Sequence, residues 1–460
     1  MNLRADDVLE DLRPLGVEVQ GVRPGTIFEG VCTDSRAEVA GRLFVALAGD
    51  NFDAHDFVPD VVSRGARGVV VRRAALSVPL PGDAVRFGVD EPLSALQAIA
   101  RGALCRQRPR VVAITGSNGK TTTKDLTVAA LGSRGTVHGT RGNLNNHIGV
   151  PLTILSRRGD EEFLVAEAGA NDFGELDLLS RILEPDVVVI TNIGRAHLEK
   201  FGSQDGVLRA KSELFVGLRP DGIAVLPFDD PYFEQLVARV PRQARTVSFG
   251  FGPRADFRIE SCKPLDAGSQ EVVLRGVRFV VARPGRHNAA DAAAALAVAT
   301  LLGADLGRAA AALAGCTFTA GRSAWVRIGP FEVLDDSYNA NPDSMAQALD
   351  LLAARPGKRI AVLGDMLELG IQSEALHAEV GRRAAVAGID LLLGLGDRMR
   401  HAVRAARDAG LGDRARHFDT LEALVAALQA ELRPGDAVLV KGSRGSRMER
   451  VVAALAAEVV

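Results

Sequence analysis

Val111-Val112-Ala113-Ile114-Thr115-Gly116-Ser117-Asn118-Gly119-Lys120-Thr121-Thr122 is the stretch whose reading decides the fold. An apolar run reads as a buried strand, breaks at two glycines and continues through Gly-Lys-Thr into a helix. The backbone N–H groups of such a loop, with the helix N-terminus behind them, surround phosphate groups. Gly116, Ser117, Asn118, Gly119, Lys120, Thr121 and Thr122 are therefore expected to bind a nucleotide. Lys120 would reach the outer phosphates and the Thr121 hydroxyl would bind Mg²⁺. The loop departs from the full P-loop pattern at Ile114, where that pattern has its first glycine.

Working outward, the same strand-then-helix unit recurs. Phe163–Glu167, Asp186–Thr191 and Gly222–Leu226 are short apolar runs ending in polar or glycine-rich turns. Continuous apolar strands alternating with helices predict a mostly parallel sheet covered on both faces. Asp256–Ile259, Glu271–Leu274 and Val277–Ala282 read as a small antiparallel addition, and the alanine-rich Asn288–Leu302 as a helix. Before this unit, Leu43–Leu47 and Val69–Val71 are candidate strands, Pro79-Leu80-Pro81-Gly82 reads as a boundary loop, and Ser94–Cys105 as a helix. Beyond it, Phe331–Asp335, Arg359–Leu363, Asp390–Leu393 and Ala437–Val440 outline a second open α/β unit. The expected fold is α/β in three domains: a small N-terminal α/β domain (1–88), a central, mostly parallel-sheet P-loop domain (89–316) and a C-terminal Rossmann-like domain (317–460). Open sheets bind ligands outside the carboxyl ends of their strands, so the chemistry is expected where the last two domains face each other.

The 460 residues are 47% hydrophobic and 24% charged, with 55 basic against 57 acidic side chains and a net charge of −2. This balance excludes wholesale disorder and offers no broad basic field for nucleic acid. The charge-free apolar stretch near Ala292–Ala304 is too short for a membrane span, and the charged N-terminus lacks the apolar core of a signal peptide. Cys32, Cys105, Cys262 and Cys316 are far apart and without metal-type spacing, as in a reduced cytoplasmic protein. Nothing demands more than a monomer. Of the 55 basic residues only 7 are Lys. A lysine retained in so arginine-biased a chain draws attention to chemistry a guanidinium cannot perform. Lys120, Lys211 and Lys441 fall in motif segments; Lys263 and Lys358 read as surface charges.

Further polar positions cluster at strand ends. Glu167 closes a strong strand beside the phosphate loop, where a carboxylate can hold Mg²⁺. His197, in Thr191-Asn192-Ile193-Gly194-Arg195-Ala196-His197, follows the next strand; with Glu167 and Thr121 it forms a candidate metal set, although Mg²⁺ prefers oxygen. The turn holding Asn143, Asn145 and Asn146 can bind a polar substrate or build local turns. Asn288 can read an adenine edge or cap its helix. Arg322, at the entry to the third domain, can stabilise charge during phosphoryl transfer. Asp336 lies at a strand end in a polar turn.

Together these segments resemble the Mur ligase family of peptidoglycan synthesis. The resemblance runs over essentially the whole chain: Thr-Gly-Ser-Asn-Gly-Lys-Thr-Thr, the Glu167 strand end, His197-Leu198-Glu199, Ala210-Lys211-Ser212-Glu213, Gly285-Arg286-His287-Asn288, Gly321-Arg322 and Asp336-Ser337-Tyr338-Asn339. Within the family, Thr33-Asp34-Ser35-Arg36, Leu43–Phe57, Glu167–Asn171, Gly364–Gly370 and Leu439–Arg444 look most like the members that add D-alanyl-D-alanine to UDP-N-acetylmuramoyl-tripeptide. The Asp-Asn-Pro-Arg signature of the diaminopimelate-adding members is missing; its nearest counterpart is Asn341-Pro342-Asp343. The resemblance implies a first domain that binds the uridine nucleotide through Ser35 and Arg36, a second that binds ATP, and a third that brings the dipeptide. It assigns Mg²⁺ to Thr121, Glu167 and His197. It makes Lys211 a carbamate that ligates a second Mg²⁺, and gives adenine to Asn288, the γ-phosphate to Arg322 and the ribose–phosphate region to Asp336. Lys120, Lys211, Arg322 and His197 would be the catalytic set, and Asn143, Asn145 and Asn146 would contact substrate. Two rivals stand beside it: a folylpolyglutamate-type ligase, for which a separate N-terminal domain would be superfluous, and a slow ATP-hydrolysing switch, against which the Lys211 segment argues.

Overall fold

The computed structural model describes residues 1–49, 52–265 and 268–457; residues 50 and 51 of the Leu43–Phe57 segment and residues 458–460 lie outside the described residues. Three sheets follow one another along the chain. The first has five strands, in the order Glu18–Gln20, Val85–Val89, Gly68–Arg72, Leu43–Val45 and Val31–Cys32. Only the Glu18–Gln20 edge is antiparallel. Pro79–Gly82 does not mark a boundary: Val85–Val89, which follows it, pairs with Gly68–Arg72 in the same sheet.

The second sheet has nine strands. Val137–Gly139, Phe163–Glu167, Arg110–Thr115, Val187–Ile190, Ile223–Pro227, Arg245–Gly250 and Phe257–Pro264 run parallel in that order. Gln270–Leu274 and Val277–Val281 extend it antiparallel. Its inner strands are buried along their whole length, as two-sided cover requires. On one face, helix Arg286–Leu301 packs on the phosphate-loop helix Lys120–Gly132. Ala289 and the run Ala292–Ala299 are fully buried there, and small side chains let the two backbones come close. On the other face, helix Pro92–Arg106 buries Ala95, Leu96, Ile99 and Ala103 in a core shared with Phe28 and Phe87 of the first unit and Val150 of the second.

The third sheet has six strands, in the order Ala324–Ile328, Phe331–Asp336, Ala437–Lys441, Arg359–Gly364, Leu391–Leu395 and Ala415–Phe418. All pairs but the first are parallel. The carboxyl ends of Phe331–Asp336, Arg359–Gly364 and Ala437–Lys441 face the carboxyl ends of the central strands. Polar groups make this docking. Arg195, five residues beyond strand Val187–Ile190, gives its Nε to Asp343 at 2.8 Å and both Nη atoms to Glu379 at 2.8 and 3.0 Å. Asn341 donates to Asn118 at 2.7 Å, the Thr319 N–H donates to Asp125 at 3.0 Å, and the Glu199 N–H donates to the Glu368 carbonyl at 3.0 Å.

Replacing Arg195 by Ala should weaken the docking without unfolding either sheet. Charge-assisted hydrogen bonds of this kind contribute about 1.5–3 kcal/mol, a factor of roughly 10–100 in a docking equilibrium. Limited proteolysis between residues 316 and 323 should accelerate accordingly, with unchanged far-UV circular dichroism. Unchanged cleavage would show that the apolar contacts alone hold the units together.

Candidate active site

The facing strand ends enclose a cavity of about 510 Å³. The phosphate loop forms its floor. Gly116 has φ +147° and a Cβ there would lie 1.9 Å from Thr191 Oγ1; Gly119 has φ +79° and a Cβ there would lie 2.5 Å from Asp291 Oδ1. Both positions therefore exclude a side chain. Asn192 fixes the loop by accepting from the Ser117 and Asn118 N–H groups at 3.1 and 3.0 Å. Lys120 folds back over the loop and donates to the Gly116 carbonyl at 2.8 Å. Burial holds its amine below the usual lysine range; Glu167 opposes the shift and Arg322 adds to it.

Glu167, at its strand's end, accepts from Thr121 Oγ1 at 2.8 Å and from Asn145 Nδ2 at 2.8 Å. Thr121 and Glu167 are both buried and supply hard oxygen atoms side by side, a donor pair suited to Mg²⁺. The rest of the expected metal set does not join them. His197 Nδ1 faces Glu368 of the third unit at 2.5 Å. Lys211 is buried, with Nζ 3.5 Å from the Ala170 carbonyl and 5.6 Å from the centre of the Phe201 ring. Among the described residues no three His, Cys, Asp or Glu side chains are grouped to hold a metal. His197 and Glu368 both have left-handed backbones, with φ +53° and +61°. Such conformations cost energy and persist where surroundings over-determine them; here the cross-domain contact does so.

Burial, with the nearby Lys120 charge acting in the same sense, pushes the Lys211 amine down to about 7. A neutral amine is the form that reacts with CO₂, so the environment of Lys211 fits a carbamate.

The other expected residues divide into three groups. Ser117, Asn118, Gly119, Lys120, Thr122, Asn143, Asn145, Asn146, Glu167, His197, Asn288, Arg322 and Asp336 line the cavity. Gly116, Thr121 and Lys211 lie behind that lining. Ser35 and Arg36 are not brought to it: they follow strand Val31–Cys32 of the first sheet, where Arg36 Nε and Nη2 pair with Asp34 at 2.9 and 2.8 Å. Asn146 builds its turn, accepting from the Gly149 N–H at 2.8 Å. Asn288 caps nothing; its Nδ2 donates to the Pro284 carbonyl at 2.6 Å. The Arg322 guanidinium lies 4.1 Å over the Tyr338 ring, and its Nε is buried without a partner among the described residues. Asp336 is engaged already, by Lys441 Nζ at 2.5 Å and by the Ser323 N–H at 2.9 Å.

Several lining residues escaped the sequence reading. Asp291 stands one turn beyond Asn288, the one charged side chain between Asn288 and Leu302, and that isolation was the available signal. Burial pushes its carboxyl up to about 8. His287 is likewise pushed by burial down to about 4. Leu367, Glu368, Leu369 and Arg444, which belong to the segments resembling the dipeptide-adding members but carried no site role of their own, line the cavity from the third unit.

Residues 114–299 match the Mur ligase middle domain, and residues 321–444 match the Mur ligase glutamate ligase domain. The chain is 38% identical to the UDP-N-acetylmuramoyl-tripeptide–D-alanyl-D-alanine ligase of Escherichia coli over 96% of both chains. The chain belongs to the Mur ligase family. Its fold superimposes on MurF from Acinetobacter baumannii with a TM-score of 0.90, at 31% identity and 99% coverage of both chains. The MurF ligase of Thermotoga maritima, solved in complex with ADP, matches with a TM-score of 0.81 at 31% identity, over 94% of this chain and 97% of that one.

Replacing Lys120 by Ala should leave the fold intact and lower ATP turnover about 10²–10³-fold, the loss typical of removing one preorganised stabilising group. Near-wild-type turnover in a folded variant would exclude Lys120 from the phosphate site.

Proposed function

We infer that this chain is an ATP-dependent, ADP-forming acid–amino-acid ligase that joins D-alanyl-D-alanine to UDP-N-acetylmuramoyl-tripeptide in the cytoplasm. The observation that carries this reading is the pairing, across one cavity, of the phosphate loop with a third-unit wall that includes Leu367, Glu368 and Leu369 of the Gly364–Gly370 segment and Lys441, Ser443 and Arg444 of the Leu439–Arg444 segment. Full-length similarity to ligases of that specificity supports it.

A carboxylate does not react with an amine at neutral pH, so the reaction needs activation. The tripeptide's terminal carboxylate oxygen attacks the γ-phosphorus of ATP, the bond to the β-phosphate oxygen breaks, and ADP and an acyl phosphate result. The dipeptide's amine then attacks the acyl carbon, loses a proton, and phosphate leaves. Lys120 and the loop N–H groups hold the phosphates, and Arg322, whose Nε has no partner among the described residues, turns to the transferring group. Thr121 and Glu167 would hold Mg²⁺, with His197 turning to it from Glu368 and a carbamate on Lys211 offering oxygen to a second ion; bound Mg²⁺ neutralises phosphate charge. Asn288 contacts adenine, and Asp336, held by Lys441, borders the ribose and phosphates. Asn143, Asn145 and Asn146 meet the muramoyl peptide, and Ser35 and Arg36 its uridine end. Domain docking keeps water from the acyl phosphate.

The acceptor is testable by ADP release. Tripeptide nucleotide with D-alanyl-D-alanine should turn over, and dipeptide nucleotide with diaminopimelate or lysine should not. Discrimination against dipeptides differing by one methylene should be only about 10–200-fold. Turnover solely with the second pairing would place the chain one step earlier in peptide assembly.

Lys211→Arg should be inactive despite its charge, and Lys211→Ala should regain part of its activity with added short carboxylic acids. With ¹³C-labelled bicarbonate, the wild-type carbamate signal should grow as pH rises through about 7, where the buried amine loses its proton. An active Arg variant, or a signal that needs pH above 10, would remove the carbamate.

A further inference from the structure

The third-unit wall of the cavity is one rigid piece. The Leu367 N–H donates to Ser443 Oγ at 2.9 Å, the Ser443 N–H donates to the Asp365 carbonyl at 3.0 Å, and Ser446 Oγ donates to the same carbonyl at 3.1 Å. Gly445 lies so close that a Cβ there would stand 2.6 Å from Leu367 Cδ1. The backbone that carries Arg444 is therefore fixed against the apolar edge of Leu367.

The cations lining the cavity have distinct neighbours. Lys120 is folded over the phosphate loop, and Lys441 is buried against Asp336 and the Asn339 carbonyl. Arg322 and Arg444 flank the same Tyr338 ring, at 4.1 and 5.6 Å from its centre. Arg322 is close enough to press on the Lys120 amine, which puts it on the phosphate side. Arg444 sits in the turn fixed against Leu367. Among the described residues its one ion-pair partner is Glu449, reached through Nη1 at 3.1 Å, and 64% of its side chain is exposed. Among the described residues its remaining guanidinium donors have no partner, and they can form a bidentate pair with a carboxylate.

We propose that Arg444 binds the carboxylate of the incoming dipeptide, with Leu367 as the apolar surface beside it. This rests on the acceptor reading above and names the residue that makes the acceptor's free acid end obligatory. A dipeptide amide, which keeps the amine and the methyl groups but lacks the anion, isolates the interaction.

Initial rates of ADP release, at saturating ATP and tripeptide nucleotide, should be measured for D-alanyl-D-alanine and D-alanyl-D-alaninamide with wild type, Arg444→Gln and Arg444→Lys. Wild type should prefer the free acid by about 10–100-fold in kcat/KM, the range of a hydrogen-bonded charge pair. In Arg444→Gln the KM for the acid should rise until the preference falls near unity, while the KM for ATP stays within about threefold. Arg444→Lys, a point charge without the planar fork, should keep part of the preference. A full acid preference in Arg444→Gln, or a loss confined to the KM for ATP, would overturn the assignment. Wild type that turns over with neither acceptor would overturn the acceptor reading, and this role with it.

Discussion

The cavity exists because two open sheets present their carboxyl strand ends to each other, and polar groups hold them so. Around Arg195 two carboxylates of the third unit, Asp343 and Glu379, close on a single guanidinium of the second. Asn341 and Asn118 meet beside it. An interface of this kind is strong when water is excluded and weak when it is not. It can therefore hold the cleft closed during chemistry yet release it at modest cost. An apolar interface of the same extent would bind more permanently and leave substrates no way in.

The scarcity of lysine becomes intelligible at this cleft. Lys211 and Lys441 are 1% and 2% exposed, and Lys120 lies over the phosphate loop. A buried amine can be pushed towards its neutral form by its surroundings, as Lys211 is, or be satisfied by one carboxylate and one carbonyl, as Lys441 is. A guanidinium can do neither so compactly, because it stays charged and presents five donors. Arginine instead occupies the faces where a planar cation must meet a partner across a gap: Arg195 at the domain interface, and Arg322 and Arg444 beside Tyr338.

The α/β fold with its three sheets was legible because its inner strands are unbroken apolar runs, and Phe163–Glu167 occurs as read. The strands that escaped notice are interrupted by polar residues. Ala415–Phe418 is an edge strand carrying Arg416 and His417, and Arg245–Gly250 carries Arg245, Thr246 and Ser248. Local motifs placed the phosphate loop and the Glu167 strand end in one cavity. They could not reveal that His197 would meet Glu368, since that contact spans 171 residues and depends on how two sheets dock. Nor could they separate the two roles of the asparagine turn, in which Asn146 builds the loop and Asn145 orients Glu167.

The same enclosure sets the charge of the cavity wall. Phosphates need cations near them and no competing anions. Asp291 lies against Gly119 of the phosphate loop, where an ionised carboxylate would repel a nucleotide. Burial raises its pKa to about 8, so near neutral pH it is mostly the protonated acid, a hydrogen-bond donor rather than a charge. Burial acts in the opposite sense on bases and leaves His287 neutral. One physical cause, removal of water, thus strips charge from the acid and the histidine beside the loop. Lys120 feels the same burial, and there the field of the Glu167 carboxylate opposes the loss of charge.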